Sequence, residues 1–218
     1  MNAAALNLLW QATQETLLMV GSATVLAVLG GLPIGILLAI TAPEGILENS
    51  WLNRLLGAVV NLGRSIPFII LMVAIIPFTR KVVGTSIGTT AAIVPLTVAA
   101  IPFFARLVEG ALREVDPGVI EAAQSMGTTP LQIIYKVLLP EALPGLVLAV
   151  TVTAVNLVGY SAMAGAIGGG GLGDLAIRYG YQRFRGDVMV QTIAVLVLLV
   201  QGMQMVGDKI AQRLFQRS

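Results

Sequence analysis

Residues 116–140 read DPGVIEAAQSMGTTPLQIIYKVLLP, and this polar stretch divides a chain that is otherwise made of long apolar segments. Asp116 can cap a helix that has Pro117 at its first position, and Gly127 can end that helix in a left-handed turn. The Thr-Pro-Leu-Gln at 129–132 offers a second cap, a proline at the first helical position and a glutamine placed for a capping box. The stretch predicts two short helices joined at a glycine and held at a membrane surface.

The first of these helices carries two small residues beside an acid. Ala122 and Ala123 would let the backbone of a partner approach closely, and Glu121 offers a charge that an arginine or a helix N-terminus can hold. This chemistry suits docking into a cleft of a second protein. The alternative is an ordinary amphipathic loop that packs on the membrane-embedded domain, and the Glu-Ala-Ala tripeptide alone favours it. The complete spacing, with Gly127 and Pro140 in place, favours docking.

The composition is that of an integral membrane protein. Hydrophobic residues make up 56% of the 218-residue chain and charged residues 11%, whereas about a quarter of the residues of a soluble protein are charged. Mean hydropathy is +0.89. Because a helical span needs about 20 apolar residues, the chain predicts an all-α membrane protein with five transmembrane helices in one domain, residues 1–218. The predicted spans are about 16–41, 56–79, 82–105, 143–167 and 188–208, with a coupling loop at about 106–141.

Loop charges give an orientation. If the loop at 106–141 is cytoplasmic, five spans place the N-terminus outside and the C-terminus inside. Of the 13 basic residues, eight then lie inside: Arg54, Arg64, Arg106, Arg113, Lys136, Lys209, Arg213 and Arg217. The remaining five lie outside, which agrees with the positive-inside rule. The uncharged residues from Met1 to Gln14 predict a short interfacial helix.

Glycine and proline punctuate the apolar segments. Residues 168–173 satisfy G-x-G-x-x-G, but the nucleotide-binding fingerprint requires a soluble strand-turn-helix context. We therefore expect a tightly turned or re-entrant segment there. The tripeptide Ile-Pro-Phe occurs at 66–68, 76–78 and 101–103, which predicts kinks or helix ends.

Several kinds of chemistry are absent from the chain. It has no cysteine and no histidine, so it lacks the side chains for disulfides, thiolate metal sites and neutral-pH proton transfer. No glycine is followed by lysine, so there is no P-loop. The central spans carry no ionisable group of the kind that ion-coupled carriers use, and a net charge of +2 gives no reason to expect nucleic acid. We expect a non-catalytic chain without cofactor or metal, so that any driving force for transport must come from another protein.

The coupling-loop spacing resembles that of bacterial ABC-importer permeases. That spacing is Glu-Ala-Ala, three residues, Gly127, nine residues, a β-branched residue, and then x-Leu-Pro. Further segments look like the permease subunit of the bacterial methionine importer, and the likeness runs from about Glu15 to Asp208. These segments are 64–70, 76–80, 84–88, 92–97 and 159–163.

The resemblance implies an assembly and a set of site residues. It implies a homodimer of five-helix permeases in the bacterial inner membrane, two cytoplasmic ATPase subunits, and a substrate-binding lipoprotein on the outer face. The cargo would be methionine, the L-isomer and also the D-isomer. The implied ATPase-coupling residues are Glu121, Ala122, Ala123, Gly127, Val137, Leu139 and Pro140.

Tyr160, Ser161 and Met163 are candidates for the substrate pathway or gate, because a zwitterion with a thioether suits small polar and soft apolar groups. Met163 could equally be lipid-facing, since methionine fills gaps adaptably. Two features depart from the expected family pattern, namely the charge of the outer loop at 174–187 and the amide of Asn156. Two alternatives stay open: another cargo (an amino acid, an osmolyte or a sulfur compound), and an ATP-independent channel or membrane scaffold.

Overall fold

The computed structural model describes residues 3–216, with side chains from Leu6 onwards, and these residues form helices and turns without a strand. Met1, Asn2, Arg217 and Ser218 lie outside the described residues. The helices are α1 (Ala3–Ile40), α2 (Ser50–Ser65), α3 (Phe68–Ala74), α4 (Ile76–Val83), α5 (Thr89–Arg113), α6 (Pro117–Ser125), α7 (Pro130–Ile133), α8 (Leu139–Glu141), α9 (Leu143–Ala166), α10 (Gly171–Leu175) and α11 (Gly186–Phe215).

Within the described residues 3–216, four helices are long and apolar enough to cross a membrane, namely α1, α5, α9 and α11. A fifth span results if α2 and α3, which meet at an angle of 96°, are counted as one broken span. The predicted all-α membrane fold with a helical coupling loop is confirmed.

The predicted span over 56–79 is not one continuous helix, and the breaks lie at the Ile-Pro-Phe tripeptides 66–68 and 76–78, as their prolines predicted. α2 already begins at Ser50, where the side chain of Asn49 accepts a hydrogen bond from the Leu52 amide at 3.0 Å. It ends before Ile66, which is extended (φ −83°, ψ 121°), because a following proline disfavours the α region. The segment therefore forms three helices rather than one.

The expectation for 82–105 is wrong at both ends. Gly84 and Gly88 have φ values of +83° and +99°, which favour glycine and interrupt the helix. α5 starts only at Thr89 and continues to Arg113. Its charged last turns remain helical because the buried Glu109 pairs with two arginines of the same helix.

The expected separate interfacial helix over Met1 to Gln14 is also absent from the described part of the chain, because α1 runs unbroken from Ala3 to Ile40. No proline or glycine interrupts residues 3–20, so nothing local separates the two segments.

The glycine-rich segment 168–173 forms the tight turn that follows α9 and the first residues of α10. The Gly171 amide donates to Glu15 Oε2 at 2.7 Å, and the Leu172 amide donates to Thr16 Oγ1 at 2.9 Å. An added Cβ at Gly165 would lie 2.4 Å from the Asp174 amide nitrogen. These glycines thus permit close backbone approach, and side chains of α1 cap the start of α10.

The core is organised around α5, which packs against α1, α2 and α9. Gly31 and Gly35 of α1 form a G-x-x-x-G motif that brings the two backbones together. An added Cβ at Gly31 would lie 2.9 Å from the Ile101 carbonyl oxygen, and one at Gly35 would lie 2.5 Å from Val108 Cβ. The C-terminal end of α5 therefore has a fixed position directly beside the coupling loop.

Candidate functional site

The local geometry of the coupling loop follows its sequence. Asp116 Oδ1 accepts a hydrogen bond from the Gly118 amide at 2.8 Å, which caps α6. Gly127 has φ +74° and donates its amide to the Gln124 carbonyl at 2.9 Å. The Thr129 amide donates to Gln132 Oε1 at 3.2 Å, as in a capping box. α6 therefore ends and α7 begins at capped positions on either side of the glycine turn.

One face of α6 is anchored to the membrane-spanning helices. Ile120 packs with Val115, Leu112 and Leu138 in a cluster that also includes residues of α1 and α5. This cluster joins α6 to the C-terminal end of α5.

The opposite face of α6 is open. Glu121 and Ala122 are exposed and Ala123 is half-buried. Their surroundings include exposed apolar side chains, with Met126 84% and Leu131 65% accessible. We call the exposed set the docking surface: Val119, Glu121, Ala122, Met126, Leu131 and Tyr135.

The packing alternative describes one side of the loop, and the docking interpretation stays a prediction for the exposed side. Ile120 faces inward, and Ile133 and Ile134 are buried, as an amphipathic loop requires. Met126 does not pack on the domain. A single exposed leucine is ordinary, but several apolar side chains around one acid at a turn are typical of an interaction site.

The second half of the loop enters α9 through an irregular helix. A π-helical turn covers Ile134–Leu138, and the Leu139 amide donates to the Ile134 carbonyl. Pro140 has no amide hydrogen for the Lys136 carbonyl, so an unmodified α-helical register is not available here. Val137 and Leu139 are half-buried and Pro140 is exposed, so these residues shape the joint rather than form a continuous contact face.

A buried charge network lies just above the loop, and sequence reasoning missed it. Glu109 is 3% exposed; it pairs with Arg106 and, at 2.9 Å, with Arg113. Arg106 Nη2 also donates to Asn61 Oδ1 of α2 at 3.0 Å. The spacing Arg-x-x-Glu-x-x-x-Arg is the signal that could have revealed the pairs within α5. The link to α2 is visible only in the fold.

The three pathway candidates do not share a face of α9. Tyr160 stacks on Phe68 of α3, with ring centroids 4.6 Å apart and planes 1° apart. Met163 is 46% exposed. Ser161, in contrast, is buried and donates its hydroxyl to the Val158 carbonyl at 2.8 Å. Its side chain therefore supports the helix interior and does not line a surface with Met163.

The amide of Asn156 is half-buried on α9. It lines a cavity of about 480 Å³ together with Gln204 and Asp208 of α11. These three polar side chains lie together on one side of α9. The family pattern had predicted an apolar residue at the position of Asn156.

Comparisons with known proteins agree with this arrangement. Residues 31–216 match the family of binding-protein-dependent transport system inner membrane components. The chain is 60% identical to the probable D-methionine transport system permease protein MetI of Vibrio cholerae, over 97% of this chain and 94% of that protein. It is 54% identical to the protein of the same name from Pasteurella multocida, over 94% of each.

The fold has a solved counterpart. A chain of the MetNI methionine ABC transporter in an inward-facing conformation superposes with a TM-score of 0.96, at 52% identity over 98% of this chain and 99% of that one. The resemblance to methionine-importer permeases that the sequence predicted is thus confirmed. The chain belongs to the family of inner membrane components of binding-protein-dependent transport systems.

Proposed function

We propose that this chain is the membrane-spanning permease subunit of an ATP-driven importer that carries methionine, as both the L- and the D-isomer, across the bacterial inner membrane. The observation that carries the proposal is the docking surface, a rigidly capped surface helix pair on an otherwise apolar helical fold. The cargo is supported by the relatives, which are named as D-methionine permeases.

The docking surface receives a cytoplasmic ATPase subunit. Ala122 lets the ATPase approach the backbone of α6, and Glu121 supplies a charge at the edge of that contact. The functional assembly contains two copies of this chain, two ATPase subunits and a substrate-binding protein on the outer face. Because this chain has no P-loop, ATP hydrolysis occurs on the partner.

Coupling then works by rigid-body motion. When ATP draws the two ATPases together, each displaces the α6 helix that is docked on it. α6 is packed through Ile120 on the inner end of α5, so its displacement rotates α5 and the helices packed on it. Repacking of this kind opens the permease alternately to the two sides. Gly127, Val137, Leu139 and Pro140 keep the loop stiff enough to transmit the motion.

The topology follows from the docking site. With the loop at 106–141 in the cytoplasm, the N-terminus is periplasmic and the C-terminus cytoplasmic. The binding protein then meets the opposite side, where α9 and α10 join. Tyr160 and Met163 line the route of the cargo, and Ser161 supports them from the helix interior.

The proposal is tested by reconstitution. The chain is co-expressed with its cognate ATPase, purified, and placed in liposomes with the binding protein and labelled L- or D-methionine. We expect uptake that requires ATP, the ATPase subunit and the binding protein. Uptake by the permease alone would instead establish an ATP-independent channel. ATP-dependent uptake of another solute but not of methionine would establish a different cargo.

A further inference from the structure

The helix α2 has three chemically different faces. One face is apolar and exposed, and a second is packed against α1 and α5, with Leu56 and Val60 in contact with Ala105. The exposed apolar stripe consists of Trp51, Leu55, Val59 and Leu62. The third face is polar and exposed, and we call it the polar stripe: Arg54, Asn61, Arg64 and Ser65.

The outer part of the polar stripe lies deep in the membrane domain. Gly63 packs on α5, where an added Cβ would lie 3.0 Å from Pro102 Cγ. Pro102 is near the middle of α5, and its neighbour Ile101 touches Gly30, which lies near the middle of the first apolar span. Arg64 follows Gly63 directly, so its backbone lies near mid-depth, whereas the loop-charge count had assigned it to the inner side.

Arg64 has no protein partner among residues 3–216. Its side chain is exposed, and it makes no ion pair or hydrogen bond with another described residue. Arg106 of α5, in contrast, is held by Glu109 and by Asn61, which lies one turn before Arg64 on α2. An ionised side chain at mid-depth faces water, an opposite charge or a substrate, because lipid does not solvate it.

The helix that carries Arg64 is interrupted just beyond this residue, as helices are at the binding sites of many transporters. α2 ends within two residues, Ile66 and Pro67 are not helical, and the chain turns by 96° into α3. Phe68, the first residue after the break, stacks on Tyr160 of α9. Discontinuous helices at mid-depth are where transporters bind their substrates. Arg64 thus borders the same region as Tyr160.

We propose that Arg64 lines a water-filled passage at mid-depth and binds the carboxylate of the amino-acid cargo. The guanidinium group offers two parallel N–H donors that match a carboxylate, and the cargo supplies the negative charge that the protein does not. The inference rests on the proposed function, since it names the cargo group that this residue recognises.

The first test uses the absence of cysteine from the native chain. Ser65→Cys keeps Arg64 in place and puts a thiol on the polar stripe, whereas Leu62→Cys puts one on the exposed apolar stripe. Each complex with the ATPase is placed in nanodiscs and treated with a cationic methanethiosulfonate, and modification of the permease chain is measured by intact mass. We expect fast modification of Ser65→Cys and slow modification of Leu62→Cys.

The same labelling tests the ligand. Methionine should slow the modification of Ser65→Cys, whereas methioninol, which has the same side chain and amine but no carboxylate, should not. Equal protection by both compounds, or none by methionine, would overturn the carboxylate assignment. If Ser65→Cys reacts no faster than Leu62→Cys, the stripe is covered, for example by the second copy, and the passage would be overturned.

The second test measures transport in proteoliposomes. Arg64→Gln should lower the initial rate of methionine uptake about tenfold or more, the effect expected for losing a charge-assisted hydrogen-bond pair, while Arg64→Lys should retain more of it. Arg213→Gln, an exposed arginine at the end of α11, is the control and should behave as native. Assembly with the ATPase and basal ATP hydrolysis should be unchanged in all variants, which separates this effect from misfolding.

Native uptake rates in Arg64→Gln would overturn the inference and leave the proposed function intact. A native complex that moves no methionine would overturn the proposed function instead, and the labelling of Ser65→Cys would still decide whether the passage is open to water.

Discussion

The network around Glu109 predicts that removing the two arginines costs more stability than removing the charge of Glu109. Glu109 is buried with its side chain 4% exposed, whereas Arg106 and Arg113 are 36% and 53% exposed. If both arginines are replaced by methionine, a carboxylate is left buried without compensation, and the expected loss is about 3–5 kcal/mol. If Glu109 is replaced by glutamine, the arginines can still be hydrated, and the expected loss is about 1 kcal/mol.

A mutant cycle checks this reasoning. The variants are Glu109→Gln, the double variant Arg106→Met with Arg113→Met, and the triple variant that combines them. Thermal unfolding of each ATPase-bound complex is followed in the same detergent. We expect the double variant to be the least stable and the triple variant to recover much of the loss, because it no longer holds a buried charge. A triple variant no more stable than the double, or a glutamine variant as unstable as the double, would refute the reasoning.

Three further predictions concern packing and docking. Gly127→Val forces a β-branched residue to φ +74°, which should destabilise the turn by about 1 kcal/mol or more. Co-purification with the ATPase and transport should then fall together, while membrane insertion persists. Normal transport would contradict a transmitting role for the loop. Gly35→Leu should destabilise the chain by about 1–3 kcal/mol, since a Cβ there would lie 2.5 Å from Val108 Cβ. The control Gly21→Leu has open space around it and should leave the melting temperature unchanged. Equal melting temperatures of the two variants would contradict the close packing. Met126→Glu should weaken ATPase co-purification without lowering the melting temperature of the isolated permease, because this side chain is 84% exposed; unchanged co-purification would place it outside the contact.

Features determined by neighbouring residues could be predicted from the sequence. The cap at Asp116, the left-handed Gly127 and the glutamine after Thr129 all depend on contacts within a few positions, and the structure has each of them. The fourth predicted span, 143–167, nearly matches α9, because its ends are set by charge and by a glycine-rich turn.

Features that depend on distant packing could not be predicted in this way. The tripeptide Ile-Pro-Phe breaks a helix at Pro67, lies at the start of α4 at Pro77, and sits inside α5 at Pro102. The tripeptide is the same in all three places, so the difference lies in its tertiary surroundings. At Pro102 the backbone of Gly63 packs against the proline ring, and α5 stays helical through this residue. Proline frees a backbone carbonyl in every case, and only the tertiary fold decides how the chain responds.

The fold was also needed to learn which side chains of the candidate sites are exposed. Successive helical residues differ by about 100° in direction, so Tyr160 and Met163 can share a face from which Ser161 is turned away. Helical phase alone could have separated them. It could not reveal that Tyr160 stacks on Phe68 of α3, a contact between residues far apart in the sequence.

The two proposed sites are joined by a continuous set of packed elements. α6 is packed through Ile120 on the inner end of α5, and α5 holds Arg106, whose guanidinium group binds Asn61 of α2. Arg64 lies three residues further along α2, on the same polar stripe. We therefore expect a displacement at the docking surface to reach the polar stripe through α5 and α2. We expect the hydrogen bond between Arg106 and Asn61 to carry part of this coupling, beside the apolar packing of α2 on α5. Its removal in Asn61→Leu should leave ATPase docking intact while reducing the transport obtained per ATP hydrolysed. Unchanged stoichiometry in that variant would mean that the motion reaches α2 by apolar packing alone.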